Sequence, residues 1–156
     1  MRRKEREVAS PAKIDRIIES CDCCRLGLAA DGAPYIVPMN FGYRRENGVP
    51  TFYFHSAAAG RKLALIRRSP RAGFELDTGR RIQEGETACR YSFCYQSVIG
   101  AGVLSFVTEE REKREALDCI LRHYTGKGGW AFEGKAFEAV TVLRLTADTL
   151  SCKEHL

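Results

Sequence analysis

Residues 52–74, FYFHSAAAGRKLALIRRSPRAGF, hold the densest chemistry in the chain. The aromatic run Phe52, Tyr53 and Phe54 reads as the end of a strand, and Ala57, Ala58, Ala59 and Gly60 are small enough to let a ligand approach the backbone. Arg61 and Lys62 then open a predicted helix over residues 61–69, whose Leu63, Leu65 and Ile66 face a core and which Pro70 ends. At the start of such a helix the first backbone N–H groups lack partners and the dipole is positive. Those donors, the Ser56 hydroxyl and two cations converge on one place, which is the chemistry of a phosphate cradle. The same residues also describe a surface β-α connection with solvated charges. His55, beside the cradle, can donate to an anionic or nitro group of a substrate or make a structural hydrogen bond.

The elements that must position these groups can be read in order. Residues 2–8 are a charged lead-in, expected on the surface or against a partner subunit. Ser10 caps a helix with Pro11 at its first position, and Ile14, Ile17, Ile18 and Cys21 recur at helical spacing. Leu26 and Leu28 belong to a short strand, Asp31-Gly32 makes a hairpin turn, and residues 35–43, YIVPMNFGY, form the next strand. Pro38 cannot donate to a ladder, so this strand lies at an edge or breaks there. Residues 46–48 turn the chain into the aromatic strand. After the Arg61 helix, residues 72–77 alternate as a strand, residues 78–87 read as a polar loop, and residues 96–107 form a long strand. Gly100 and Gly102 in that strand mark a bend or a close backbone approach rather than a dinucleotide motif, because no helix opens after them. Residues 109–124 are a helix, Trp130 and Phe132 offer apolar area in a loop, and residues 140–145 are the final strand before a polar tail. About six strands with peripheral helices and early hairpins point to an antiparallel barrel.

A chain of 156 residues, 44% hydrophobic and 29% charged, is sized for one globular domain over residues 1–156. No apolar run reaches bilayer length and the basic N-terminus has no apolar segment behind it, so no membrane contact and a cytoplasmic location are expected. The net charge of +5 is interspersed with acids, which favours phosphorylated small molecules over nucleic acid. The odd count of 7 cysteines excludes a complete disulfide framework. Cys21, Cys23 and Cys24 lack the further ligands that zinc needs, and the cluster follows a helix where a redox pair would precede one, so buried inert thiols and no metal are expected. No G-x-S-x-G elbow is present and the histidines are scattered: His123 reads as a helix C-terminal charge and His155 as tail.

The order of aromatic strand, hydroxyl residue, small residues, Arg-Lys, Ile and Pro-Arg in residues 52–71 resembles the FMN-phosphate segment of the pyridoxamine 5′-phosphate oxidase superfamily. The His-Ser-x-x-x-Gly-Arg-Lys form at residues 55–62 is similar to the 5-nitroimidazole resistance flavoproteins, and the similarity runs from Arg2 to about His155. The resemblance implies a six-stranded antiparallel split β-barrel of the FMN-binding type, mainly β with peripheral helices, forming a homodimer with flavin sites at the interface. It implies FMN as cofactor, with phosphate held by Ser56, Arg61 and Lys62. The strand around Pro38, Met39, Asn40 and Phe41 would line the ring, and Gln96 and Ser97 would complete the partner's site. The flavin would then carry the redox step, and the protein would supply position and electrostatics. Alanines replace the hydroxyl pair of the true oxidases' phosphate motif and their C-terminal Arg-x-His segment is missing, so vitamin B6 chemistry is not implied. The expected activity is an FMN-dependent reductase or oxidase of small molecules such as nitroaromatics, with His55 at the substrate. The alternative is a non-catalytic flavin-binding or flavin-storage protein.

Overall fold

The structure, a computed structural model, describes residues 3–156; Met1 and Arg2, at the head of the predicted lead-in, lie outside them. Strands β1 (Cys24–Leu28), β2 (Tyr35–Met39), β3 (Gly42–Glu46), β4 (Val49–Ser56), β5 (Arg71–Gln83), β6 (Ser92–Phe106) and β7 (Thr141–His155) form one sheet. All pairings are antiparallel, in the order β2-β1-β5-β6-β7-β4-β3. The two edge strands are consecutive in the chain. Only Asn40 and Phe41 separate β2 from β3, a gap that spans at most about 11 Å. The sheet must therefore curl until its edges nearly meet, giving the expected antiparallel split barrel with an open seam at Asn40–Phe41. The stretch read as one strand over residues 35–43 is thus two, and the sheet has seven strands where about six were expected.

The helices are α1 (Pro11–Glu19), α2 (Arg61–Arg68), α3 (Glu110–Thr125) and α4 (Gly134–Ala139). Ile17 and Ile18 of α1 and Leu63 and Ile66 of α2 join Leu26, Phe52, Phe54, Phe74, Leu76, Val98, Leu143 and Leu145 in the main core. On the other face of β4, Tyr53 packs with Val142 under Ala116 and Ile120 of α3. Residues 51–54 are consequently all buried, because β4 has core on one side and α3 on the other. No helix among the described residues is long and apolar enough to cross a membrane.

Three elements differ from the sequence expectation, each for a geometric reason. β5 continues through residues 78–83, read as loop, by way of a bulge between Thr78 and Arg81 where Gly79 takes a φ of 66°. β7 continues through the supposed tail to His155, past an irregularity opposite Ala101 and Gly102. A short helix, α4, follows the Trp130 loop and brings Phe137 within 6.4 Å of Phe132. The strand glycines are explained as close approach. A Cβ on Gly100 would lie 2.3 Å from Phe74 Cζ and 2.4 Å from the Thr149 carbonyl oxygen, and one on Gly102 would lie 2.3 Å from the Thr146 oxygen. The lead-in lies along its own chain: Val8 N–H donates to the Cys152 carbonyl at 3.0 Å, and Glu7 bridges to Lys153.

Asp15 ties α1 to β3. It accepts from Arg45 Nη2 at 2.6 Å, from Arg45 Nε at 3.0 Å and from Tyr43 Oη at 2.6 Å. Burial works to raise its carboxyl, but these hydrogen bonds and the Arg45 charge outweigh it, and the group titrates below its ordinary 3.8. A carboxyl whose native pKa is depressed contributes stability that is complete above its unfolded value and lost as pH falls through its native value. Urea denaturation of Asp15→Asn should show a deficit of about 1 kcal/mol at pH 6–8 that closes below about pH 4. A deficit independent of pH would show that shape, not charge, makes this tie.

Candidate functional site

The cradle is built where β4 leaves the barrel. Buried Phe52 and Phe54 anchor the strand, His55 and Ser56 pair with Val142 and Thr141 of β7, and exposed residues 57–60 lead to α2. Alternation places Ser56 on the face of Phe52 and Phe54, toward α2, and His55 on the face of Tyr53, toward α3. The His55 ring is exposed, and no hydrogen bond among the described residues engages it. Gly60 precedes α2 with φ 138° and ψ 167°, a backbone that L side chains avoid, and its carbonyl accepts the first helical bond from Ala64 N–H at 3.1 Å. No side chain caps the helix and no acid stands in its first turn. Its leading N–H groups are open to a ligand, while Leu63 and Ile66 fix the helix in the core.

Both cations of the cradle lean on the edge strand β2. The Arg61 guanidinium carbon lies 4.8 Å from the centroid of the Tyr35 ring. Lys62 Nζ donates to Met39 Sδ at 3.1 Å, and burial pushes the Lys62 ammonium below its ordinary 10.5. A thioether is a weak acceptor, so a partly desolvated ammonium here has little to offset its loss of water. These contacts join Ser56, Arg61 and Lys62 to the segment carrying Pro38, Met39, Asn40 and Phe41. Sequence reasoning missed Tyr35; the available signal was the two-residue period that puts it on the same face of β2 as Met39.

Pro38 and Asn40 are exposed at the seam, whereas Met39 and Phe41 are buried. The last turn of α3 latches the seam. Phe41 N–H donates to Tyr124 Oη at 3.1 Å, Tyr124 Oη donates to the Asp22 carbonyl at 2.9 Å, and His123 Nε2 meets the Cys21 carbonyl at 2.7 Å. The Phe41 and His123 rings are 4.3 Å apart. His123 thus has a structural place, and His155 is no tail residue, since its Nε2 lies 2.8 Å from Ser92 Oγ. Gln96 and Ser97 lie apart from the cradle within one chain. Gln96 Nε2 donates to Glu154 at 3.2 Å, and Ser97 lines a surface depression with Glu7, Ile99, Ser151 and Lys153. Cys21, Cys24, Cys94 and Cys152 are buried, whereas Cys23, expected to be buried, and Cys119 are half-buried and Cys89 is exposed. Burial pushes the Cys21 thiol up to about 12 and the Cys152 thiol up to about 11, and raises that of Cys24.

The fold and site together define the class: an antiparallel split β-barrel with a cationic, uncapped helix start beside its open seam. Residues 10–154 match the pyridoxamine 5′-phosphate oxidase family, and the chain belongs to that family. Among solved structures it is 32% identical to a candidate 5-nitroimidazole antibiotic resistance protein from Bacteroides thetaiotaomicron, with a TM-score of 0.81 over 95% of this chain and 86% of that one. The flavocytochrome Anf3 from Azotobacter vinelandii is similar in fold at 19% identity, with a TM-score of 0.80 over 100% of this chain and 72% of that one. The FAD and heme binding protein from Mycobacterium smegmatis is likewise similar in fold at 20% identity, with a TM-score of 0.80 over 96% and 73%. No curated protein matches the sequence.

Proposed function

We propose that this protein binds FMN, with the phosphate at the N-terminus of α2 and the ring along the Pro38–Asn40 seam, and reduces small molecules such as nitroaromatics. The observation that carries the reading is the uncapped first turn of α2, where Lys62 is partly desolvated against a thioether and Arg61 has no carboxylate within ion-pair distance among the described residues. Such donors fit a dianionic phosphate, and the FAD-binding neighbours of the same fold support a flavin. When bound, the flavin supplies hydride and electron transfer. The protein's own residues would hold it: Ser56 and the α2 amides would donate to phosphate, Lys62 and Arg61 would balance its charge, and the backbone at Pro38–Asn40, where β2 ends, would line the ring.

Charge-assisted hydrogen bonds contribute about 1.5–3 kcal/mol each, so two cations and helix-end amides should favour FMN over riboflavin by at least about a hundredfold after discounting for screening at the exposed Arg61. Titrating apoprotein with FMN, riboflavin and FAD tests this directly. Replacing Arg61 and Lys62 together by Gln should leave a folded, largely colourless protein. Equal affinity for FMN and riboflavin would sink the assignment, and tighter FAD binding would move it to the dinucleotide.

His55, exposed at the same strand end but on the α3 face opposite Ser56, is the residue we assign to donate to a substrate anion or nitro group. His55→Ala should keep its full flavin content and lose turnover of nitroaromatic with reduced nicotinamide by about 10²-fold or more, the range for a positioned proton donor. Unchanged turnover at full occupancy would remove His55 from the reaction. No turnover in the parent protein, despite bound flavin, would select the flavin-storage alternative.

The site is completed by a second copy of the chain. Ile36, Ile99 and Val103 are 60%, 56% and 40% exposed. Ile36 pairs with Gly27, Gly27 with Gly73 and Gly73 with Ala101, so a shallow small-residue strip runs between β2 and β6. Ser97 and Ile99 share that outer face of β6, so a copy seated there receives Ser97 at its own cofactor. Trp130 and Phe132 are less suited, because Phe132 meets α4 and the Trp130 indole donates to its own Lys127 carbonyl. Light scattering should give a dimer, and Ile99→Lys should give a monomer with weakened FMN binding. A monomeric parent protein that retains FMN would end this proposal.

A further inference from the structure

The Arg61 side chain is exposed and long, so an anion site that relied on it would lose rotamer freedom on each binding event. The protein removes part of that loss beforehand. Tyr35 is half-buried and packs against the main core, which fixes its ring, and the ring meets the Arg61 guanidinium at 4.8 Å. An aromatic face attracts a cation without neutralising it, whereas a carboxylate brace would order Arg61 and also repel the incoming phosphate. The neighbouring cation is treated in the same way, with the neutral Met39 sulfur against Lys62.

We propose that Tyr35 is the positioning residue of the cradle, presenting Arg61 at the first turn of α2 so that a ligand phosphate meets a cation already in place. The proposal rests on the cradle reading above and adds to it a residue that touches neither phosphate nor ring. The electrostatic attraction of an exposed cation–π pair corresponds to about a two- to fivefold effect on affinity.

The test is a double-mutant cycle on FMN and riboflavin affinity, with Tyr35→Leu and Tyr35→Met as two apolar replacements and Tyr35→Phe as the conservative one. Tyr35→Leu and Tyr35→Met should each weaken FMN about two- to fivefold with riboflavin unchanged, and Tyr35→Phe should retain parental affinity. In an Arg61→Ala background the same replacements should have no further effect on FMN. Equal losses in both backgrounds, or equal losses for both flavins, would overturn the positioning role while leaving the cradle standing. An Arg61→Ala protein with the parental FMN-to-riboflavin ratio would overturn the cradle, and Tyr35 with it.

Discussion

The open seam is the constraint from which the remaining structure follows. The two edge strands β2 and β3 are consecutive in the chain yet form no ladder with each other, and Pro38 offers no N–H at that edge. The chain itself closes the barrel, and the polar backbone freed at the crossing needs partners from elsewhere. The last turn of α3 supplies them through Tyr124 and His123, which reach Phe41, Asp22 and Cys21. The helix, in turn, is held by Ala116 and Ile120 against Tyr53 and by the Arg144–Glu112 pair at 2.8 Å. Gly42, just beyond the crossing, has no room for a side chain, since a Cβ there would lie 2.6 Å from Ile120 N. The seam is therefore tightly latched on the α3 side, where Tyr124 also meets the Asn40 side chain, while Pro38 and Asn40 stay exposed to solvent.

Helices α1, α2 and α3 and strand β1 were legible because their apolar residues keep one period, whereas the short α4 and the break between β2 and β3 carry no such period. β7 was not legible beyond Leu145. Leu143, Leu145 and Ala147 point inward in strict alternation, but Ala101 pairs with Thr149 and Gly102 with Ala147, so Asp148 is an extra residue on β7. It carries its carboxylate outward to Arg71 at 2.5 Å, and the inward set resumes one position late, reaching Cys152. A period-2 reading breaks at such a residue and calls the remainder tail. β5 hides in the same way: past the Gly79 bulge its residues project as an exposed hairpin arm with β6, and no buried face remains to print an alternation.

The residues proposed for the cradle come together for a simpler reason. Ser56, Arg61 and Lys62 are near neighbours in sequence, so a strand end and a helix start suffice to gather them. Met39 was already named with the edge strand, whereas Tyr35 enters through the packing of α2 beside β2, and the two-residue period only places it on the Met39 face. Gln96 and Ser97 show the opposite limit. Their placement on β6 is clear, yet nothing within one chain carries them to α2, and the second copy proposed above would have to supply that geometry.

The cations of this surface are held in two ways. Arg25 reaches Glu75 and Asp77 at 2.9 and 2.7 Å, Arg45 reaches Asp15 at 2.6 Å, and Arg44 is paired with Glu46. Those arginines are ordered and neutralised together, which suits ties between elements. Arg61 and Lys62 are ordered by a phenol ring and a thioether, so their charge stays uncompensated within the described residues. Leaving a half-buried ammonium in that condition is unfavourable in the free protein, and an anion bound there would relieve the penalty. A carboxylate on β2 would order these cations but repel the phosphate proposed above. Neutral partners at Arg61 and Lys62 are what the proposed site requires, while Arg67 over Phe106 and Arg81 on Cys94 show the same kind of contact elsewhere on the surface.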